Sequence, residues 1–256
     1  MTIALRVLEG YARTYRRTWK GTVATTFVAP VLFLTAMGLG LGSLVDRGST
    51  AGLPTAGYLA FLAPGLMAAT AMQTAATDTT WPVMAGIKWL KTYHAALATP
   101  VGPRELVGGH LAWVLVRVLF AAVVFGVVMV AFGATGPLRA ALAVLPAALT
   151  GAAFASLITA FSASRENEYA LASLHRFGVM PLYLFSGTFF PLEQVPELLQ
   201  PVAYVSPLWH GVELTRAAAL GGAPAWPAAV HVTVLLACAV AGYPLAVRAL
   251  ARRLTP

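Results

Sequence analysis

The chain has 256 residues, of which 59% are hydrophobic and only 10% charged, and it carries a net charge of +8 with a single cysteine. An ordinary soluble domain covers itself with roughly 25% charged residues, so this composition excludes a solvated globule and points to an integral membrane protein. Cys238 alone rules out an intrachain disulfide and a cysteine metal cluster, and reads as a small apolar packing residue.

In chain order, residues 1–20 come first. Ile3, Val7, Tyr11, Tyr15 and Trp19 recur every fourth residue, while Arg6, Arg13, Arg17 and Lys20 fall elsewhere on the wheel. That pattern predicts an amphipathic helix in the membrane interface, aromatics at headgroup depth, with Glu9 and Arg13 as an i,i+4 pair. A plain basic flank to the first span is the other reading. Residues 21–45, 48–77, 118–138, 140–164 and 217–247 then carry no charge, and 177–192 form a shorter apolar run. A hydrocarbon core of about 30 Å needs about 20 apolar residues in a helix. The runs predict six transmembrane helices near 22–45, 57–79, 106–132, 140–163, 169–190 and 228–248. The first is too long for a signal-peptide core and is expected to be a retained anchor.

Gly38 and Gly42 form a G-x-x-x-G pair, suited either to close helix packing or to fraying at the helix end. Ala63-Pro64-Gly65 predicts a kink in the second span, and Asp78 a cap at its cytoplasmic end. The connection at 81–105 is the largest loop expected on the cytoplasmic side. Within it Val83–Leu97 reads as helical, closed by Pro100 and Pro103. It suits a docking helix or an ordinary loop. Arg117 falls near mid-membrane in the third span, where ionisable groups face protein or water; it would meet an anionic group of a cargo, or satisfy a neighbouring helix. Arg165, Glu166 and Glu168 read as a solvated ion cluster.

The segment Phe185–Arg216 is broken by Pro191, Pro196, Pro201 and Pro207, yet is too apolar for a solvated loop. Four prolines at this spacing exclude one continuous helix. Short helices that dip into the membrane while sheltered by protein fit it, so 191–220 is expected to be re-entrant.

Lys and Arg sort sharply by side. Arg6, Arg13, Arg16, Arg17, Lys20, Lys88, Lys91, Arg104, Arg165, Arg176, Arg248, Arg252 and Arg253 fall on one side, and Arg47, Arg139 and Arg216 on the other. The positive-inside rule puts both termini in the cytoplasm and the Pro-broken segment outside. The net positive charge is thus explained by topology and lipid headgroups, and gives no argument for nucleic acid binding. No phosphate-cradling P-loop, H-E-x-x-H or G-x-S-x-G occurs, and no carboxylate ladder suggests ion coupling. A transporter of this kind needs an energy source on another chain.

Leu97-Ala98-Thr99-Pro100-Val101, Phe185-Ser186-Gly187-Thr188-Phe189-Phe190-Pro191, and Pro207-Leu208-Trp209-His210 followed by Arg216 together carry a family likeness. The chain resembles the membrane subunit of ABC-2 type exporters, in the branch of NodJ-like lipo-oligosaccharide and DrrB-like drug efflux permeases. The resemblance implies a single transmembrane domain over 1–256 in the bacterial plasma membrane, working as a homodimer with two copies of an ABC ATPase that hold the ATP and magnesium. It implies no cofactor and no catalytic residue in this chain. Ile87, Lys88, Trp89, Leu90, Lys91, His94 and Leu97 would form the coupling helix on the ATPase, with Arg165 and Glu166 as a second contact. Phe190, Pro191, Glu193, Pro207, His210, Glu213 and Arg216 would form an outer gate. Phe27, Tyr58, Phe61, Met67, Met72, Gln73, Phe185 and Phe189 are the expected substrate path along a seam between two copies, because aromatic and Met side chains suit an adaptable amphipathic cargo. Drug and lipid-linked glycan export are both open. A membrane-embedded lipid-modifying enzyme is the rival, with His210, Glu213 and Arg216 as its polar groups on one face.

Overall fold

The computed structural model describes residues 3–17, 19–41, 57–194, 197 and 200–254. The described elements are helices: α1 (Ile3–Tyr15), α2 (Trp19–Phe33), α3 (Gly57–Met84), α4 (Thr92–Leu97), α5 (Pro103–Ala131), α6 (Pro137–Ser164), α7 (Glu168–Leu174), α8 (Met180–Phe185), α9 (Gln200–Val205), α10 (Pro207–Leu220) and α11 (Ala228–Leu254). Wider π turns extend α2 through Leu34–Leu41 and α3 through Ala85–Trp89, and join α7 to α8 through His175–Val179. Residues 42–45 of the first expected span, Gly42, Arg47 and Pro196 lie outside the described residues.

Among the described residues five helical stretches are long and apolar enough to cross a membrane: Trp19–Met37, Gly57–Trp89, Pro103–Ala131, Pro137–Ser164 and Ala228–Leu254. The run expected at 169–190 is not among them. The helical stretch there runs from Glu168 at the start of α7 to Phe185 at the end of α8, and carries His175 and Arg176 in its first half.

The second span departs most from expectation. It runs through Ala63-Pro64-Gly65 without interruption and continues past Asp78 to Trp89, 33 residues in all. Asp78 is therefore no cap: its carboxylate lies 3.1 Å from Arg117 Nε on α5, and the Arg117 guanidinium rests over the Tyr15 ring at 5.1 Å. An ion pair inside two spans resolves the reading of Arg117 in favour of helix pairing. The helix expected over 83–97 is also broken. Lys91 takes a left-handed φ of 52°, which ends the extension of α3 and starts α4 in a new direction.

At the centre is α6, packed against α3, α5, α10 and α11. Its inward face is small: Ala143, Ala147, Gly151, Ala153 and Ala155 are buried. Small residues let helix backbones approach closely, and dispersion packing then holds spans together without a hydrophobic driving force. Ser156 Oγ also donates to the Cys238 carbonyl of α11 at 3.2 Å.

The amphipathic helix α1 exists with its Glu9–Arg13 pair at 2.6 Å, and two aromatics of its stripe pack on protein. Tyr11 and Tyr15 pack on Trp113 of α5 at 6.4 and 5.3 Å between centroids, and the Tyr11 hydroxyl meets that of Tyr93 at 3.2 Å. Burial pushes the Tyr93 hydroxyl well above the ordinary phenol range and favours its protonated form. Of the stripe, Ile3 and Trp19 remain exposed.

Replacing Arg117 with Leu would strand the Asp78 carboxylate between helices, a loss on the order of 3 kcal/mol. We expect Arg117→Leu to lower the thermal midpoint of the purified protein, and Asp78→Asn/Arg117→Leu to recover most of it. Equal midpoints for the single and double variants would show that the pair does not hold α3 to α5.

Candidate functional site

Three regions gather the residues singled out by sequence. The first is the junction of α3 and α4. Ile87 turns inward and packs with Val83, Tyr93, Leu106, Ala246 and Leu250, which removes it from the outward contact face expected of it. Trp89 and Leu90 do the opposite: they are 48% and 70% exposed. Lys91 and His94 are exposed beside them, while Leu97 packs partly against the inner cluster. Lys88 Nζ reaches Glu168 Oε1 at 3.4 Å, so Glu168 belongs to a bridge between the α3–α4 junction and α7 rather than to a local ion cluster. Arg165 lies over the Phe161 ring at 4.7 Å, and its carbonyl accepts from Arg253. Exposed apolar side chains on a short, internally anchored element form a protruding knob.

The second region is a cleft of about 320 Å³ among α2, α3 and α5, with Tyr183 at its edge. Thr22, Thr26, Gln73, Thr77, Asp78 and Arg117 give it a polar lining inside membrane-spanning helices. Polar groups there are costly unless they face protein or a wet path. Of the expected path residues, Phe27, Gln73 and Phe185 are exposed. Met67 and Met72 are fully buried in the chain's own core, closed off by packing within the chain, and cannot line a seam between copies. Tyr58 and Phe61 are buried too, and work for the third region.

That region is the Pro-broken segment. After α8 the chain bends at Ser186–Phe190, where Gly187 has a φ of +73° that disfavours any side chain. The bend presses on α3 at Gly65, where an added Cβ would stand 2.9 Å from the Thr188 carbonyl oxygen. The freed carbonyls are met from outside the bend. Arg216 of α10 donates to Gly187 O at 2.7 Å and to Phe61 O at 3.4 Å. Its guanidinium lies 4.0 Å over the Phe61 ring and pairs with Glu213 at 3.1 Å. Tyr58 donates to Phe189 O at 3.1 Å.

Ser206 caps α10 by accepting from the Leu208 amide at 3.1 Å, and Pro207 takes the first helical position, where a missing amide costs nothing. His210 and His231 meet through their Nδ1 atoms at 2.8 Å, joining α10 to α11. His210 Nε2 lies 3.1 Å from the Tyr204 carbonyl and must donate there, so His210 Nδ1 accepts and His231 Nδ1 donates. Trp209 and Trp226 enclose the pair, 4.8 Å apart. Glu213 also accepts from the Ala225 amide at 2.9 Å. His210 and Glu213 therefore serve different partners, and the polar group imagined for an enzyme is divided between two structural roles. Phe190 and Pro191 are half-buried at the edge of the bend, and Glu193 is exposed at the mouth of a pocket of about 460 Å³ with Arg216 at its base.

Sequence reasoning missed Gly65, Ser206, Trp226 and His231. A signal existed for His231, the only histidine in the 217–247 run. For Gly65 the Pro-Gly step was visible, but its partner lies more than a hundred residues away.

Residues 6–220 match the family described as ABC-2 type transporter. Nodulation protein J of Sinorhizobium fredii (strain NBRC 101917 / NGR234) is 32% identical over 247 residues, covering 95% of this chain and 92% of that protein. Nodulation protein J of Rhizobium meliloti (strain 1021) is 33% identical over 230 residues, covering 89% and 84%. The Bradyrhizobium diazoefficiens protein of the same name, from strain JCM 10833 / BCRC 13528 / IAM 13628 / NBRC 14792 / USDA 110, is 30% identical over 226 residues, covering 88% and 84%. With its apolar helices, its protruding α3–α4 knob and the Arg216-braced bend, the chain belongs to the ABC-2 type transporter family, as a membrane permease component that works with an ABC ATPase subunit.

Proposed function

We propose that the chain is the permease half of a bacterial plasma-membrane exporter that moves an amphipathic cargo out of the cytoplasm, with ATP and magnesium bound on two copies of a separate ATPase and a second permease copy completing the path. In this reading the run from α7 to α8 is a further span, giving six, and both termini are cytoplasmic. The observation that carries it is the exposed Trp89–Leu90 knob, rooted in the core by Ile87 and Tyr93, at the cation-rich side of a family member. An ATPase cleft that closes on the knob moves α3 as a lever, because the knob is the end of that span. Arg165 and Glu166 add a second contact, tied to the first through Lys88 and Glu168. The motion reaches the outer side where α3 carries Phe61 and Gly65, the two residues on which the Arg216-braced bend rests. Rigid-body rocking of that kind opens the gate without rebuilding it.

A lipid-linked oligosaccharide is the second reading of the cargo. The polar lining of the cleft between α2, α3 and α5 favours it over a purely apolar drug, and two copies facing each other across Phe27, Gln73 and Phe185 would enclose such a path.

Trp89→Asp/Leu90→Asp is expected to abolish co-purification of the ATPase with permease that still inserts and folds; wild-type recovery of the ATPase would refute the coupling role. The purified chain alone is expected to hydrolyse no ATP, and sustained turnover by a verified pure sample would overturn the division of labour.

Arg216→Gln leaves the Gly187 carbonyl without its donor, at roughly 1–3 kcal/mol, and removes a second, longer contact to the Phe61 carbonyl inside α3. We expect a lowered thermal midpoint and ATPase association unchanged. Arg216→Lys should not restore the midpoint, since an ammonium lacks the planar fork that reaches both carbonyls. Full restoration by lysine would reduce Arg216 to a point charge.

A further inference from the structure

A groove of about 660 Å³ runs between the last turns of α6 and α11, apart from the cleft and the gate, and shares only Glu166 with the proposed second ATPase contact. Its walls are Ala160, Phe161, Leu245 and Ala249, and its rim carries Arg248, Arg252 and Arg253 with Glu166 opposite. The rim is net positive. Arg253 is already committed, donating to the carbonyls of Ala163 and Arg165. Arg248 and Arg252 are exposed and have no ion-pair partner among the described residues.

The face of α11 that leads to the groove changes character along its length. Val240, Pro244, Arg248 and Arg252 follow at every fourth residue and are all exposed, with Leu236 and Leu245 exposed beside the apolar half. One helix face thus presents an apolar strip and then, over the next two turns, two guanidiniums without an ion-pair partner among the described residues. Isolated snorkelling arginines need no groove, and a protein-docking surface needs no apolar strip running up a membrane span. The strip, the groove and the unpaired cations together match a molecule with an acyl chain above and an anionic phosphate below.

We propose that this groove binds an anionic phospholipid, its phosphate held by Arg248 and Arg252 and an acyl chain laid along Leu245, Pro244 and Val240. The site is distinct from the cargo path, and its existence does not depend on what is transported.

The test is lipid binding to the full-length permease in neutral detergent, by native mass spectrometry with phosphatidylglycerol or phosphatidylcholine added. Arg248→Gln/Arg252→Gln should weaken phosphatidylglycerol binding about tenfold or more. Arg248→Lys/Arg252→Lys should retain most of it, and Arg16→Gln/Arg17→Gln, which removes the same charge elsewhere, should change it little. Leu245→Asn should also weaken it, although no charge is altered. Equal loss in the two Gln pairs would overturn the site as unspecific charge attraction, and equal binding of the two lipids would overturn the cationic recognition. Displacement of phosphatidylglycerol by inorganic phosphate, with Leu245→Asn neutral, would make it a free-phosphate site. Loss of the ATPase subunit from Arg248→Gln/Arg252→Gln with phosphatidylglycerol binding intact would make it a protein contact. A folded state for each variant is verified by an unchanged elution profile.

Discussion

Backbone that leaves the helix inside a membrane-facing protein must find its hydrogen-bond partners within the chain, and that constraint shapes the half of this molecule around the Ser186–Phe190 bend. Arg216 meets it: a single guanidinium serves the Gly187 and Phe61 carbonyls, takes Glu213 as counter-ion and lies on the Phe61 ring. A charge in such a place is costly unless every donor is used, and here the fork is well filled. The neighbouring features follow from it. Gly65 lets the bend approach α3 closely, Gly187 turns it, Ser206 starts α10 so that Arg216 arrives at the right height, and the His210–His231 pair fixes α10 to α11.

The opposite half solves a different problem. There α3 must project exposed apolar side chains without coming loose. It does so by ending on Lys91 in a left-handed turn while Ile87 and Tyr93 sink into the cluster of α5, α6 and α11. Between the two halves α3 is continuous, buried along most of its length and braced by the Asp78–Arg117 pair. A stiff element with an exposed knob at one end and the seat of the Arg216-braced bend at the other is what the proposed coupling would use.

Much of this was legible from residues. Charge-free runs located the long helices because membrane solvation forbids charge there, and the proline spacing marked 191–220 as neither span nor loop. What could not be read was which face each side chain takes. Met67 and Met72 suit a flexible path by chemistry, but the small-residue face of α6 draws α3 close and buries them. Asp78, the first charge after the 48–77 run, looked like a helix end, although its partner Arg117 lies on another span. The tyrosines of α1 suit headgroups equally well as Trp113, and only packing against α5 decides. His210 and Glu213 share a helix face in sequence, yet their partners, His231 and Arg216, separate their roles.

The central claim is that the Arg216-braced segment and the Trp89–Leu90 knob lie on opposite sides of the membrane, linked by α3. Because Cys238 is the only cysteine, a Cys238→Ser background allows single-cysteine accessibility to a membrane-impermeant maleimide in intact cells. Glu193→Cys is predicted to label from outside without permeabilisation, and Leu90→Cys only after it. Labelling of both positions from the same side would contradict the account.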